Sequence, residues 1–326
     1  MLYSRLRMLF DNFTIALLVV IAVATFLPPV GEGVAFFENL TYAAIALLFF
    51  LHGAKLPRQA VIAGVTHWRL HLLIFLFTFL AFPILGLLLK PFLAPLVNDT
   101  LYMGVLFLCA LPATVQSAIA FTAMARGNVA AAVASASASS LIGILLTPFI
   151  VNVLLDVQGD AGSFWEAVMS ITVQLLVPFI GGQIARTWIG QWVEKHAAML
   201  KYVDQSSILL VVYTAFGAAI VEGLWTTVSY VELAGLFVLC CILLAIVLVF
   251  STMLARRAGF NKEDEITIVF CASKKSLATG VPMAKVIFPA AMVGPMLLPL
   301  MIFHQLQLMV CAVIAQQYAK RERVVD

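Results

Sequence analysis

The stretch Phe270-Cys-Ala-Ser-Lys-Lys-Ser-Leu-Ala-Thr-Gly-Val-Pro-Met-Ala284 sets two adjacent lysines, Lys274 and Lys275, inside a segment apolar and long enough to cross a bilayer. A charge at the bilayer centre costs about 2.5–3.5 kcal/mol on insertion scales. The pair therefore points to a polar cavity that faces protein, water or substrate. Ser273, Ser276, Thr279 and Gly280 flank the lysines and Pro282 follows, a composition that weakens a helix at that point. Interrupted helices of this kind build the midplane binding sites of secondary transporters.

The composition around this stretch fixes the class. Of 326 residues, 63% are hydrophobic and 11% charged, and the mean hydropathy is +1.07. Soluble domains carry about 45–50% apolar and about 25% charged residues, so the expectation is an all-α integral membrane protein. A span needs about 20 apolar residues. Hydropathy places spans near 13–27, 38–53, 68–89, 101–124, 128–154, 164–185, 202–222, 230–255, 264–287 and 291–316. The first follows Arg5 and Arg7 as a signal peptide would, but Pro28-Pro29 follows it instead of a small-residue cleavage site, so it is read as a span. A net charge of +3 without a basic patch gives no reason to expect nucleic acid. Cys109, Cys240, Cys241, Cys271 and Cys311 lie in apolar runs without paired spacing and read as buried free thiols.

Charge sorts the loops. Arg5, Arg7, Lys55, Arg58, Arg69, Arg126, Arg186, Lys195, Lys201, Arg256, Arg257, Lys262, Lys320, Arg321 and Arg323 fall on one side of the ten spans. Of the nineteen basic residues, only Lys90 and Lys285 fall on the other, with Lys274 and Lys275 between. Lys/Arg-rich loops are cytoplasmic. The expectation is a multi-pass protein of the cell (inner or plasma) membrane with both termini in the cytoplasm. Glu32, Glu38, Asp99, Asp156, Asp160, Glu166, Glu222 and Glu232 map to outer loops or span ends. Asp11, Glu194, Asp204, Glu263, Asp264, Glu265, Glu322 and Asp326 map to the inner side. No carboxylate is expected at a midplane.

Ten spans divide into two repeats of five, residues 1–157 and 158–326. Span 4 reads Leu108-Cys-Ala-Leu-Pro-Ala-Thr-Val-Gln-Ser117 and span 9 reads Phe270-Cys-Ala-Ser-Lys-Lys-Ser-Leu277, each a Cys-Ala pair before a polar, helix-weak patch. Two interrupted segments at matching positions of two halves mark an inverted-repeat transporter site, because an odd span count inverts the second copy. The break in span 4 offers Thr114, Gln116 and Ser117. In span 5, Ala134-Ser-Ala-Ser-Ala-Ser-Ser140 suits close helix packing, with Ser135, Ser137 and Ser139 as candidates to line the cavity. In span 10, His304 and Gln307 are three apart and share a helical face. On a continuous helix Lys274 and Lys275 would point about 100° apart, so at most one would face a given site.

Over nearly its whole length the chain resembles the bile acid:sodium symporter (BASS) superfamily, in the YfeH-type branch and similar to vertebrate solute carrier family 10 member 7. The resemblance rests on Leu47-Leu-Phe-Phe-Leu-His-Gly-Ala-Lys55, Leu111-Pro-Ala-Thr-Val-Gln-Ser-Ala-Ile-Ala-Phe-Thr122, Gly127-Asn-Val-Ala-Ala-Ala132, Ser135-Ala-Ser-Ala-Ser-Ser140, Cys271-Ala-Ser-Lys-Lys-Ser-Leu-Ala278 and Phe303-His-Gln-Leu-Gln-Leu308. It implies a panel domain of spans 1, 2, 6 and 7 and a core domain of spans 3–5 and 8–10. Spans 4 and 9 would be discontinuous crossing helices, and transport would proceed by alternating access.

The departures from that pattern bear on the coupling ion. Sodium-coupled members supply a glutamate and a glutamine from the span 9 crossover and a Ser-Asn pair from span 4. Here span 9 gives Val269-Phe-Cys-Ala-Ser273 and then the lysines, and span 4 gives Ser117-Ala118. Ala132, Ala136 and Thr78 stand where the pattern has ligands in spans 5 and 3. Two unit charges of like sign about 4 Å apart repel by about 4 kcal/mol at an effective dielectric of 20, so a lysine and a sodium ion do not share such a site. The expected function is symporter-like transport of an organic anion, with no cofactor. The substrate or ion would be handled by Thr114, Gln116, Ser117, Ser137, Ser273, Lys274, Lys275, Ser276, His304 and Gln307, and coupling would be to H+ or absent. One alternative is Na+ symport through a rebuilt site of Thr114, Gln116, Ser117 and backbone carbonyls. Another, which the vertebrate relative implies, is a membrane regulator of calcium homeostasis. A Ser-Lys enzyme built on Ser273 or Ser276 lacks an oxyanion device and a second acid–base group, and the chain is not read as an enzyme.

Overall fold

The computed structural model describes residues 12–55, 67–93, 96–155 and 161–320. Arg5, Arg7, Asp11, Arg58, Asp156, Asp160, Arg321, Glu322, Arg323 and Asp326 lie outside the described residues, as does the side chain of Glu166. The described secondary structure is helical throughout. The principal helices are α1 (Asn12–Phe26), α2 (Glu32–Lys55), α3 (Trp68–Leu88), α4 (Asp99–Ala110), α5 (Val115–Met124), α6 (Val129–Leu155), α7 (Ala161–Lys195), α8 (Ala197–Val221), α9 (Tyr230–Arg257), α10 (Lys262–Ala272), α11 (Leu277–Ile287) and α12 (Ala290–Ala319). Each hydropathy segment coincides with one helix or with a broken pair. By length and apolarity alone α2, α3, α6, α8, α9 and α12 can each cross a membrane, and α4 with α5, bent by 61°, makes a seventh candidate. The protein is a multi-pass membrane protein.

Which helices are sheathed and which face lipid follows from their side chains. In α4, Leu101, Val105, Phe107, Leu108 and Cys109 are wholly buried, and in α10 every residue from Asp264 to Ala272 is buried. A helix buried all round lies at the centre of its assembly. By contrast Leu18, Val19, Phe36, Ile84, Val153, Val249 and Phe250 are exposed apolar side chains on α1, α2, α3, α6 and α9. Lipid is their natural solvent.

Packing brings α2 along α7, and α1 and α2 against α8. It also places α8 against α11 and α12, α4 against α12, and α10 between α9 and α5. The α2–α7 crossing is backbone on backbone. A Cβ on Gly53 would overlap the carbonyl of Phe179, and one on Gly182 the carbonyl of Phe50. Small residues permit such approach in lipid, where van der Waals contact drives association. Gly143 plays the same part where α6 passes the first break, since a Cβ there would lie 2.6 Å from Pro112 Cβ.

Both expected interruptions are present. The first is Leu111–Thr114. The second is Ser273–Ser276, so Lys274 and Lys275 stand in the break itself and not on a helix. This corrects the helical-wheel expectation: with no helix between them, the 100° rule does not set their directions.

Candidate functional site

A helix that stops inside a protein leaves its last carbonyls without intrahelical partners, and each needs another donor. At the end of α4 three of them, at Leu108, Cys109 and Ala110, can be traced, together with the Leu111 and Pro112 carbonyls of the break itself. Leu108 O accepts from Leu111 N at 3.3 Å. Ala110 O accepts from Thr147 Oγ1 at 2.9 Å. Pro112 O accepts from Ser276 N at 2.9 Å, across to the other break. Cys109 O and Leu111 O accept from Lys275 Nζ at 2.8 and 2.7 Å.

The third hydrogen bond of Lys275 Nζ goes to Thr78 O at 2.8 Å. Thr78 lies in a π-helical turn, Phe77–Ala81, within α3. There Phe82 N donates to Phe77 O, one residue further back than an α-helix requires, and residue 83 is a proline without an N–H. Thr78 O is thereby released from the helix. The Phe82 ring closes the site, its centroid 4.2 Å from Lys275 Nζ. The ammonium thus has its three N–H groups matched by three carbonyls, two of them at the negative end of a helix.

Lys274 is equally buried but differently housed. Its Nζ lies 4.4 Å from the Phe121 ring centroid and 5.8 Å from that of Phe270, with one carbonyl, Gln307 O, at 3.4 Å. Cys271 and Cys311 are its other neighbours. Neither lysine has a carboxylate partner among the described residues.

Gln307 of α12 clamps the second break. Lys275 N donates to its Oε1 at 2.8 Å, and its Nε2 donates to Lys275 O and to His304 Nδ1, each at 2.9 Å. Ser139 of α6 does the corresponding service at the first break, accepting from Ala113 N at 3.0 Å. Each break is therefore held by a polar side chain from the helix that follows the broken pair.

Beyond the breaks, α5 and α11 begin. Thr114 is the N-cap of α5 and shares a 2.7 Å hydrogen bond with Ser117. Ser276 caps α11 by accepting from Thr279 N at 3.2 Å. Both N-termini open on one cavity of about 490 Å³. Its walls are helical stripes: Phe49, His52 and Lys55 on α2; Val133, Ser137, Ser140 and Ile144 on α6; Lys201, Asp204, Gln205 and Ile208 on α8; His304 and Leu308 on α12. Phe13, Ile119 and Phe179 complete the apolar part. The Thr279 hydroxyl, buried at the base of α11, has no hydrogen-bond partner among the described residues.

The ten expected site residues fall into two groups. Thr114, Gln116, Ser117, Ser137, Ser276 and His304 line the cavity. Ser273, Lys274, Lys275 and Gln307 sit behind it, wholly buried. The Ser273 hydroxyl has no partner among the described residues. Of the other serines considered, Ser135 hydrogen-bonds His71 Nδ1 at 2.6 Å and Ser139 holds the break. Among the described residues no cluster of histidines, cysteines and carboxylates is suited to a metal ion.

The structure adds residues that the sequence reading left at span ends. Asp204 of α8 is buried and ion-paired with Lys55 of α2, and with His52 and Lys201 they line the cavity. The available signal was the recurrence of polar residues at helical spacing, His52/Lys55 and Lys201/Asp204/Gln205.

Two helices broken at the centre of a multi-pass membrane protein, their N-termini sharing one cavity, define a membrane transport protein of the broken-helix type. The chain belongs to the SBF-like CPA transporter family, whose model matches residues 11–320. It is 64% identical over 318 residues to an uncharacterized protein of Pseudomonas aeruginosa, covering 98% of this chain and 96% of that one. It is 56% identical over 317 residues to the Escherichia coli protein named "Putative symporter YfeH", covering 97% and 95%. It is 30% identical over 310 residues to the sodium/bile acid cotransporter 7 of Rattus norvegicus, covering 93% and 90%.

Proposed function

We propose that this protein is a secondary transporter that carries an amphipathic organic anion across the cell membrane by alternating access. The observation that carries this reading is the convergence of the α5 and α11 N-termini on one cavity. Helix N-termini present unsatisfied N–H groups and the positive end of the dipole, which together favour an anion. Thr114, Ser117, Ser276 and Thr279 add hydroxyls at the same place, and Phe13, Phe49, Phe179, Ile119 and Ile208 supply an apolar wall. The printed names of the Escherichia coli and rat relatives, a symporter and a sodium/bile acid cotransporter, agree with this class.

In this reading the chain is one transmembrane domain of ten spans, two inverted repeats over 1–157 and 158–326. The α4–α5 and α10–α11 pairs are the crossing helices, spans 1, 2, 6 and 7 form a panel, and both termini lie in the cytoplasm. What supports it is the match between the halves: a broken fourth span and a fifth helix whose polar side chain closes the break, in each.

In this reading the coupling ion is a proton, or there is none, and sodium is not used. What supports this is the tethered ammonium of Lys275, which takes the carbonyls of Thr78, Cys109 and Leu111 between the two breaks. No carboxylate accompanies them among the described residues. Transport is then coupled to protons or uncoupled. An amphipathic carboxylate found by thermal shift over a metabolite panel would be followed into proteoliposomes under imposed sodium and pH gradients. Uptake indifferent to sodium is expected, and strict sodium dependence would sink the assignment.

A further inference from the structure

We infer that the mouth of the cavity, at Lys55, Lys201 and Asp204, is a second anion subsite, so that the substrate carries two acidic groups on an apolar body. The inference rests on the transporter reading above and names the substrate class for the same cavity. Along α2 the lining runs from Phe49 out to Lys55, and along α8 from Ile208 out to Lys201. The apolar side chains therefore lie deep and the charged ones at the helix ends. The half-helix N-termini form one electropositive pole, with Thr114, Ser276 and Thr279 all buried. The lysines form the other, with Lys201 exposed.

The charges at the mouth do not cancel. Two ammonium groups and one carboxylate line it, and Lys201 has no ion-pair partner among the described residues. Asp204 is itself only half satisfied: one carboxylate oxygen takes Lys55, while the other is buried without a donor. Buried carboxylates are normally paired at both oxygens, and an orphaned one is costly. Nor is the Lys55–Asp204 pair needed to hold the end of α2. Gly53 O accepts from Gln183 Nε2 at 2.8 Å and Ala54 O from Arg186 Nη1 at 2.6 Å, which fixes that end to α7. Lys201 lies one turn before Asp204 on the same helical face. An entering acidic group can take Lys55 while Lys201 turns to the free oxygen of Asp204, and the cluster then balances. His52 is the other titratable group on this part of the lining.

The test compares dodecanedioate with its monomethyl ester, which has the same length and one charge fewer, by calorimetric titration of the protein in nanodiscs with empty nanodiscs subtracted. Wild type should bind the diacid about tenfold more tightly than the ester. Lys201→Gln, which removes the excess cation at an exposed position, should erase that ratio. Asp204→Asn, which keeps a partner for Lys55, should enlarge it. Lys55→Gln/Asp204→Asn retains one net positive charge without a buried unpaired carboxylate and should preserve it. A ratio near one in wild type, with the ester bound, would overturn the subsite and leave the N-terminal anion site standing. A ratio unchanged by Lys201→Gln and Asp204→Asn would overturn it too. Binding of neither compound at millimolar concentration would overturn both readings.

Discussion

The two breaks face the same physical problem with different chemistry. Each ends one half-helix and starts another in the middle of a dry structure, so each must satisfy freed backbone groups without water. The first, Leu111–Thr114, contributes carbonyls and no charge. The second, Ser273–Ser276, contributes a backbone N–H and an ammonium, which go to those carbonyls. The breaks complete one another, and the π turn of α3 supplies the one acceptor that the first cannot. Two lysines that look equivalent in sequence are unequal as a result. Lys275 is matched donor for acceptor, whereas Lys274 rests on ring faces and thiols.

That inequality is the first thing to try to break. In Lys275→Met three buried carbonyls lose their donor, and each buried acceptor left unsatisfied costs about 1–3 kcal/mol. Lys274→Met replaces an ammonium on aromatic faces by an apolar chain of similar length, a change that is often neutral or stabilising at buried sites. Thermal unfolding in nanodiscs should show a large drop in Tm for the first and a small shift for the second. Lys275→Arg should not rescue, because a planar guanidinium cannot reproduce a three-way ammonium contact. Equal losses at 274 and 275 would mean that the carbonyl cradle is not what holds the breaks together.

The next contrast lies between the two clamping helices. Gln307→Leu strips both the N–H and the C=O of Lys275 of their partner, and at about 1–3 kcal/mol for a buried group left unpaired the loss should be about 2–3 kcal/mol. Ser139→Ala removes one acceptor, from Ala113 N, and should cost about 1 kcal/mol. Amide exchange read at residues 275 and 113 checks each locally. Faster exchange confined to the altered break supports independent clamps. Faster exchange at both would show that the breaks open as one unit.

Sequence made the lysines, both interruptions and the polar face of α12 legible, because a charge or proline in an apolar run has few explanations. It placed the helices well for the same reason, since hydropathy is read one segment at a time. It did not show what the lysines touch. The acceptors of Lys275 are backbone carbonyls at 78, 109 and 111, and carbonyls carry no signature in residue type. Thr78 O is free only through the π turn and Pro83, a relation visible once the helix is built. Asp204 was missed for a further reason. Its partner Lys55 is 149 residues away, and each alone resembles an ordinary charged span end.

The smallest expected effect on stability separates the cavity from the breaks most cleanly. Thr279 is one turn from Lys275 in sequence, yet its hydroxyl serves neither break and has no partner among the described residues. Removing an unsatisfied buried hydroxyl while keeping the side-chain shape should cost almost nothing, because no hydrogen bond is lost and a desolvation penalty is relieved. Thr279→Val should therefore unfold within a degree or two of wild type. If the cavity takes an anion at the α11 N-terminus, the same change should weaken its binding by about tenfold, the value of one hydrogen bond to a charged group at about 1.5 kcal/mol. Binding and unfolding measured on one preparation make the distinction. A loss of affinity at constant Tm assigns the hydroxyl to the ligand, and parallel losses of both would return Thr279 to the scaffold.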